Sequence, residues 1–157
     1  MKELKSVFSR EELTENAVKL LKKLIATPSM SRDEYNVSLI IEGFFNEHQL
    51  TVNRFKNNIW ATNKYFDAGK PSILLNTHHD TVKPNKAYTL DPFIPVEKDG
   101  KLFGLGSNDA GASLVAMAQT FLYFYEAEDL THNLVIALTA EEEISGLDGI
   151  EALFPQL

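Results

Sequence analysis

The 157-residue chain has 44% hydrophobic and 24% charged residues, the balance of an ordinary globular domain, and its length favours one folding unit. Fifteen Lys and Arg stand against 22 Asp and Glu, for a net charge of −7; no basic block occurs, so the electrostatic footprint of nucleic-acid binding is missing. There is no cysteine, which excludes disulfides and thiolate metal sites and leaves His, Asp and Glu to hold any transition metal, a donor set suited to zinc, manganese or cobalt.

The opening MKELKSVFSREEL lacks the apolar centre of a signal peptide. No apolar run is long enough to span a bilayer, so a cytoplasmic location is expected. A first helix is predicted over 9–26: Ser9 and Glu12 have capping-box spacing, and Leu13, Ala17, Leu20, Leu21 and Leu24 recur at helical intervals. Pro28 stops it. A second helix is predicted over 33–48, with Ser31 and Glu34 offering a cap and Val37, Ile40, Ile41, Phe44 and Phe45 forming the apolar stripe. Short strands follow over 50–56 and 58–63, with Asn57-Asn58 as the turn.

The run 72–76 (SILLN) reads as a buried strand, and 83–108 as loop, rich in Pro and Gly. Residues 110–126 are apolar nearly all round, the pattern of a helix buried on most sides. A second buried strand is expected over 134–138 (LVIAL) and a last helix over 147–154. Two apolar strands separated by a helix imply a βαβ crossover and a parallel sheet.

Three polar clusters follow these buried elements or precede them: His78-His79-Asp80, Asn108-Asp109 and Glu141-Glu142-Glu143. Taken singly each has a plain structural explanation. Acidic residues after a strand are often a solvated loop or a helix N-terminus, Asp109 suits a helix cap, and histidines are frequently structural. Parallel strands, however, would bring the first and third clusters to the carboxyl edge of one sheet, where α/β proteins bind ligands. So much negative charge at one edge calls for a cation. Hydrolysis assisted by two cations needs a carboxylate that bridges them, a carboxylate that orients a ligand imidazole, and a further carboxylate to move protons.

The segments LLNTHHDTV, GLGSNDAG and LTAEEEISG resemble, in order and spacing, the three motifs of the zinc-dependent deacetylases and exopeptidases. That family includes acetylornithine deacetylase, succinyl-diaminopimelate desuccinylase, aminoacylases and glutamate carboxypeptidases. The resemblance implies a three-layer α/β/α catalytic domain with a mostly parallel central sheet and two zinc ions, with cobalt or manganese as substitutes. It implies that His78, Asp109 and Glu143 are metal ligands, Asp109 bridging. Asp80 would orient His78, and Glu142 would be the catalytic base. Glu141 occupies a position the family usually fills with Asp, and His79 falls on a variable position, as a loop histidine near the site. Leu105 and Gly111-Ala112-Ser113 depart from the family's Arg and Lys-Gly-Gly-like residues without touching a ligand position.

The GLGSNDAG and EEEISG forms look most similar to the deacetylases of arginine biosynthesis that act on N-acetylornithine or N-acetylcitrulline. The implied partner is thus a small N-acyl amino acid or short peptide, and the intact protein would be a homodimer without nucleic-acid or membrane partners. A dipeptidase or carboxypeptidase of the same family, and an incomplete non-catalytic fragment, are the competing expectations. Family members are about twice this length or more. They add a lid or dimerisation domain and two later ligands, a carboxylate for the His78 metal and a histidine for the Glu143 metal. Residues 1–157 are therefore expected to form the N-terminal part of the catalytic domain, with an unpaired sheet edge, weak metal binding and no useful turnover alone.

Overall fold

The computed structural model describes residues 8–157; the start of the opening segment, residues 1–7, lies outside them. Helix α1 (Arg10–Ile25) begins at the expected capping box, with Ser9 Oγ accepting the Glu12 N–H (3.2 Å) and Glu12 Oε2 accepting the Ser9 N–H (2.8 Å). Two of the donors a helix start leaves open are thereby satisfied. Its stripe buries Leu20, Leu21, Leu24 and Ile25. Helix α2 (Tyr35–Glu47) buries Val37, Ile41, Phe44 and Phe45. The cap expected from Ser31 and Glu34 is not made, because both side chains are engaged elsewhere. Ser31 Oγ donates to Asp80 Oδ2 (2.7 Å), and the fully buried Glu34 accepts from Asn57 Nδ2 (3.0 Å).

Strands β1 (Asn53–Phe55) and β2 (Asn58–Thr62) form the expected hairpin. Its turn lies at Lys56-Asn57, one residue earlier than expected, since Phe55 pairs with Asn58 and Lys56 takes a left-handed φ of 55°. Asn58 cannot face solvent as a turn residue. It is fully buried, its Nδ2 donating to Phe55 O (3.1 Å) and Asp148 O (2.7 Å) and its Oδ1 accepting from Ala140 N (2.9 Å).

Strand β3 (Ser72–His78) is followed by a short hairpin of β4 (Val96–Lys98) and β5 (Lys101–Phe103), then helix α3 (Ser113–Phe124), strand β6 (Asn133–Thr139) and the single turn α4 (Ile150–Leu153). The β4–β5 hairpin lies inside the stretch read as loop. Asp99 and Gly100, with φ of 51° and 70°, supply the positive dihedrals that a tight hairpin turn requires.

The main sheet has the order β1-β2-β6-β3. It is mixed: β3 and β6 pair in parallel from Ser72↔Asn133 to His78↔Thr139, while β1–β2 and β2–β6 are antiparallel. The predicted crossover is thus β3–α3–β6. Helices α1, α2 and α3 contribute to one core with Ile59, Ala61, Ile136 and Leu138, where Phe45 and Phe121 meet edge to face with centroids 6.3 Å apart. Val135 and Ala137 alternate to the opposite face and are buried as well. β6 is the expected buried strand. β3 is not: it is the edge strand, and Ile73 and Leu74 remain 46% and 37% exposed. Among the described residues no helix is long and apolar enough to cross a membrane.

Candidate metal centre

Because β3 and β6 run in parallel and in register to their ends, their carboxyl termini lie side by side. His78 closes β3, and Glu141 to Glu143 follow β6 by one residue. Asp109 reaches the same edge on the irregular turn Ser107–Ala112 that leads into α3 and contacts β3. The turn opens with Gly106 at φ 71°, where a Cβ would come within 2.7 Å of Thr81 Cγ2; only glycine suits that combination of dihedral and close approach.

These elements bring three predicted residues together. His78, Asp109 and Glu143 each offer a ligand atom within 4.8 Å of the other two. His78 Nε2 lies 3.2 Å from Asp109 Oδ1 and 3.6 Å from Glu142 Oε2. On its other side, His78 Nδ1 donates to the Asp80 carbonyl (3.0 Å) and faces Asp80 Oδ1 at 3.4 Å. The imidazole is therefore held by Asp80 and aimed at carboxylates, the arrangement that fixes a metal-binding histidine. One nitrogen and several carboxylate oxygens form a donor set for a divalent cation of the zinc, cobalt or manganese kind.

Asp80 is fully buried and accepts on both oxygens, from Glu142 N (3.0 Å) on Oδ1 and from Ser31 Oγ (2.7 Å) and Glu143 N (3.1 Å) on Oδ2. Burial opposes its charge, but the hydrogen bonds from His78, Ser31 and the two amides prevail and lower its pKa to about 2. The Asp80 hydrogen bond raises His78 to about 9 against the cost of burial. Glu143 is raised, first by burial and then by the charge of Asp109.

His79 and Glu141 are not part of this cluster. His79 is, as expected, a loop residue just past the end of β3, and it is buried. Its Nε2 donates to Asn57 O (3.0 Å), and burial lowers its pKa to about 4, so it is neutral. Glu141 is buried with φ 56°, and its carboxylate accepts from Asp148 N (3.3 Å) and lies 4.0 Å from Arg32 Nε. Sequence reasoning missed Ser31, Glu34 and Asn57. The signal for Ser31 and Glu34 was the density of polar residues in SMSRDE, which suits a helix cap equally well, and Asn57 read simply as a turn residue.

An α/β domain that gathers an imidazole and carboxylates beyond its parallel strand ends defines a candidate metallohydrolase core. The family model of peptidase family M20/M25/M40 matches residues 74–157, and the chain belongs to that family. It is similar to the succinyl-diaminopimelate desuccinylase of Xylella fastidiosa (strain M23), with 35% identity over 138 residues covering 81% of this chain and 35% of that protein. It is similar also to the acetylornithine deacetylase of Proteus mirabilis (strain HI4320), with 38% identity over 143 residues covering 82% of this chain and 36% of that protein.

Among solved structures, a dinuclear metal binding peptidase of the M20 family from Bacillus subtilis superposes with a TM-score of 0.68 at 17% identity, covering 94% of this chain and 40% of that one. The di-peptidase Dug1p of Saccharomyces cerevisiae gives 0.72 at 19% identity, covering 93% and 36%. These likenesses establish the α/β fold of the family's catalytic domains. The chain spans little more than a third of the two desuccinylases from Sulfurovum and Xylella fastidiosa (strain M23), 38% and 35% of their length.

Proposed function

We propose that the protein containing this sequence is a metal-dependent amidohydrolase that removes the acyl group from an N-acyl amino acid, with N-acetylornithine or N-acetylcitrulline as substrate in arginine biosynthesis. The observation that carries this reading is the convergence of His78, Asp109 and Glu143, far apart in sequence, within 4.8 Å at one sheet edge. In this reading His78 and Glu143 would each hold a cation, zinc being the expected ion, and Asp109 would serve both. When bound, the cations supply Lewis acidity for a carbonyl oxygen and for water.

The remaining chemistry falls to the chain's own groups. Asp80 holds His78 in a single tautomer through Nδ1. Glu142 is exposed beside the cluster, its Oε2 3.6 Å from His78 Nε2, where it can take a proton from water and return it to the departing nitrogen. Water oxygen bonds to the carbonyl carbon, the C–N bond breaks, and a carboxylate and an amine leave.

Residues 1–157 are, in this reading, the N-terminal part of the catalytic domain. Catalytic zinc takes about three protein ligands, more than one terminal residue and a shared Asp109 provide for each ion, so a carboxylate and a histidine would come from further sequence. The exposed edge of β3 suits such an addition. A cytoplasmic location and a homodimer of the intact protein complete the proposal. Similarity to desuccinylases supports a second reading, in which the acyl group is succinyl.

Assaying the intact protein with zinc or cobalt against N-acetyl and N-succinyl amino acids and dipeptides tests the proposal. Hydrolysis of an acylated amino acid is expected, with Glu142→Ala lowering kcat about 10²- to 10⁴-fold while metal content is retained. Dipeptide cleavage alone, or near-normal activity of Glu142→Ala, contradicts it.

A further inference from the structure

Three successive amides, those of Glu141, Glu142 and Glu143, each donate to a carboxylate that is fully buried. Asp80 takes the second and third. The first, at 3.3 Å, belongs to Glu34 Oε1, which lies more than a hundred residues away in the chain and also accepts from Arg32 N (2.6 Å). Glu34 Oε2 accepts from Asn57 Nδ2 (3.0 Å), and Asn57 O accepts from His79 Nε2 (3.0 Å). A continuous hydrogen-bonded path therefore runs from the residue after His78, through the β1–β2 turn, to the residue before Glu142. It ends on Glu141, a left-handed position (φ 56°, ψ 22°) directly before Glu142 and Glu143.

We propose that Glu34 is a positioning residue of the metal centre: its buried carboxylate anchors the Glu141 amide and so sets where Glu142 and Glu143 stand relative to His78 and Asp109. This rests on the metal reading of that cluster. The required property is an acceptor aimed at the amides of residues 32 and 141, not a negative charge. Gln at position 34 keeps that acceptor, and Asn57 can turn its own oxygen toward the new amide nitrogen; Met keeps the volume and loses every acceptor.

The test uses the chain with Glu34→Met and Glu34→Gln, and with His78→Ala as a control. Amide hydrogen exchange at Glu141 to Glu143 is measured without metal, and cobalt(II) affinity is followed by visible absorption. Glu34→Met is expected to accelerate exchange at Glu141 to Glu143 beyond the rest of the chain. It should weaken cobalt binding by about 10- to 100-fold, as loss of residues supporting a metal ligand does, and change the cobalt spectrum. Glu34→Gln should stay close to the parent in all three.

If Glu34→Met lowers only the melting temperature, leaving exchange at Glu141 to Glu143 and cobalt affinity as in the parent, Glu34 is merely structural and the proposal is overturned. Should Glu34→Met not fold, Asn57→Ala replaces it, with a smaller loss in the same direction expected and no loss overturning the proposal. If the parent and His78→Ala bind cobalt alike, the metal reading falls instead, and the exchange data still decide whether Glu34 holds the turn.

Discussion

Replacing Asp80 by Asn isolates the group on which both strand-end motifs converge. Each Asp80 oxygen faces a backbone donor: Oδ1 faces Glu142 N at 3.0 Å, and Oδ2 faces Glu143 N at 3.1 Å and Ser31 Oγ at 2.7 Å. Whichever oxygen becomes an NH₂ group, it meets an amide N–H in a fully buried place. One charge-assisted hydrogen bond is lost and one buried donor is stranded, a combined cost of about 2–4 kcal/mol. For a chain of this size that corresponds to a fall in Tm of about 4–16 °C. The change also removes the partner that raises His78 to about 9, so the His78 pKa should drop toward 6.5. Denaturant unfolding of the metal-free chain at neutral pH, with NMR titration of the imidazoles and the exposed Asp129→Asn as control, measures both effects. A destabilisation under about 0.5 kcal/mol, the range of ordinary surface substitutions, with His78 still titrating near 9, would refute the reasoning.

The adjacent histidines should give the metal-free chain a stability maximum near pH 6.5. His78 is raised from 6.5 to about 9, so its contribution is complete below 6.5 and is lost as pH rises through 9. His79 is lowered from 6.5 to about 4, so the unfolded chain gains a proton first as pH falls, and stability declines between 6.5 and 4. Chemical denaturation across this range checks both slopes, and a flat profile contradicts them. Since a cation must displace the His78 proton, apparent zinc affinity should rise about tenfold per pH unit up to about 9, measured by competition with a chelator. Gly146→Ala places a Cβ 1.9 Å from Glu141 Oε2. It should destabilise the chain by about 1–3 kcal/mol through overpacking, read by thermal melting, with a neutral outcome counting against the described turn.

Elements governed by short-range rules were legible in the sequence. Ser9 and Glu12 made their capping box because nothing else competes for them at an exposed helix start. The same spacing at Ser31 and Glu34 misled, because Asp80, Asn57 and Glu141, distant in sequence, claim those side chains. The apolar runs correctly placed β3 and β6 in one parallel pair, but apolarity alone could not distinguish the covered β6 from β3 at the edge. The Asp99-Gly100 turn was available as a hairpin signal and was obscured by the prolines around it. For the candidate site, His78, Asp109 and Glu143 were singled out by the motif resemblance, and they converge at the sheet edge reached by the crossover. The support from Glu34 depends on packing between segments separated by more than a hundred residues, which no local pattern encodes.

Anomalous diffraction at the zinc edge, from crystals of the chain soaked in millimolar zinc, bears most directly on the metal reading. The account predicts density between His78 Nε2 and the carboxylates of Asp109 and Glu143, abolished in Asp109→Ala. Zinc bound only elsewhere, with those three side chains ordered and turned apart, would contradict it.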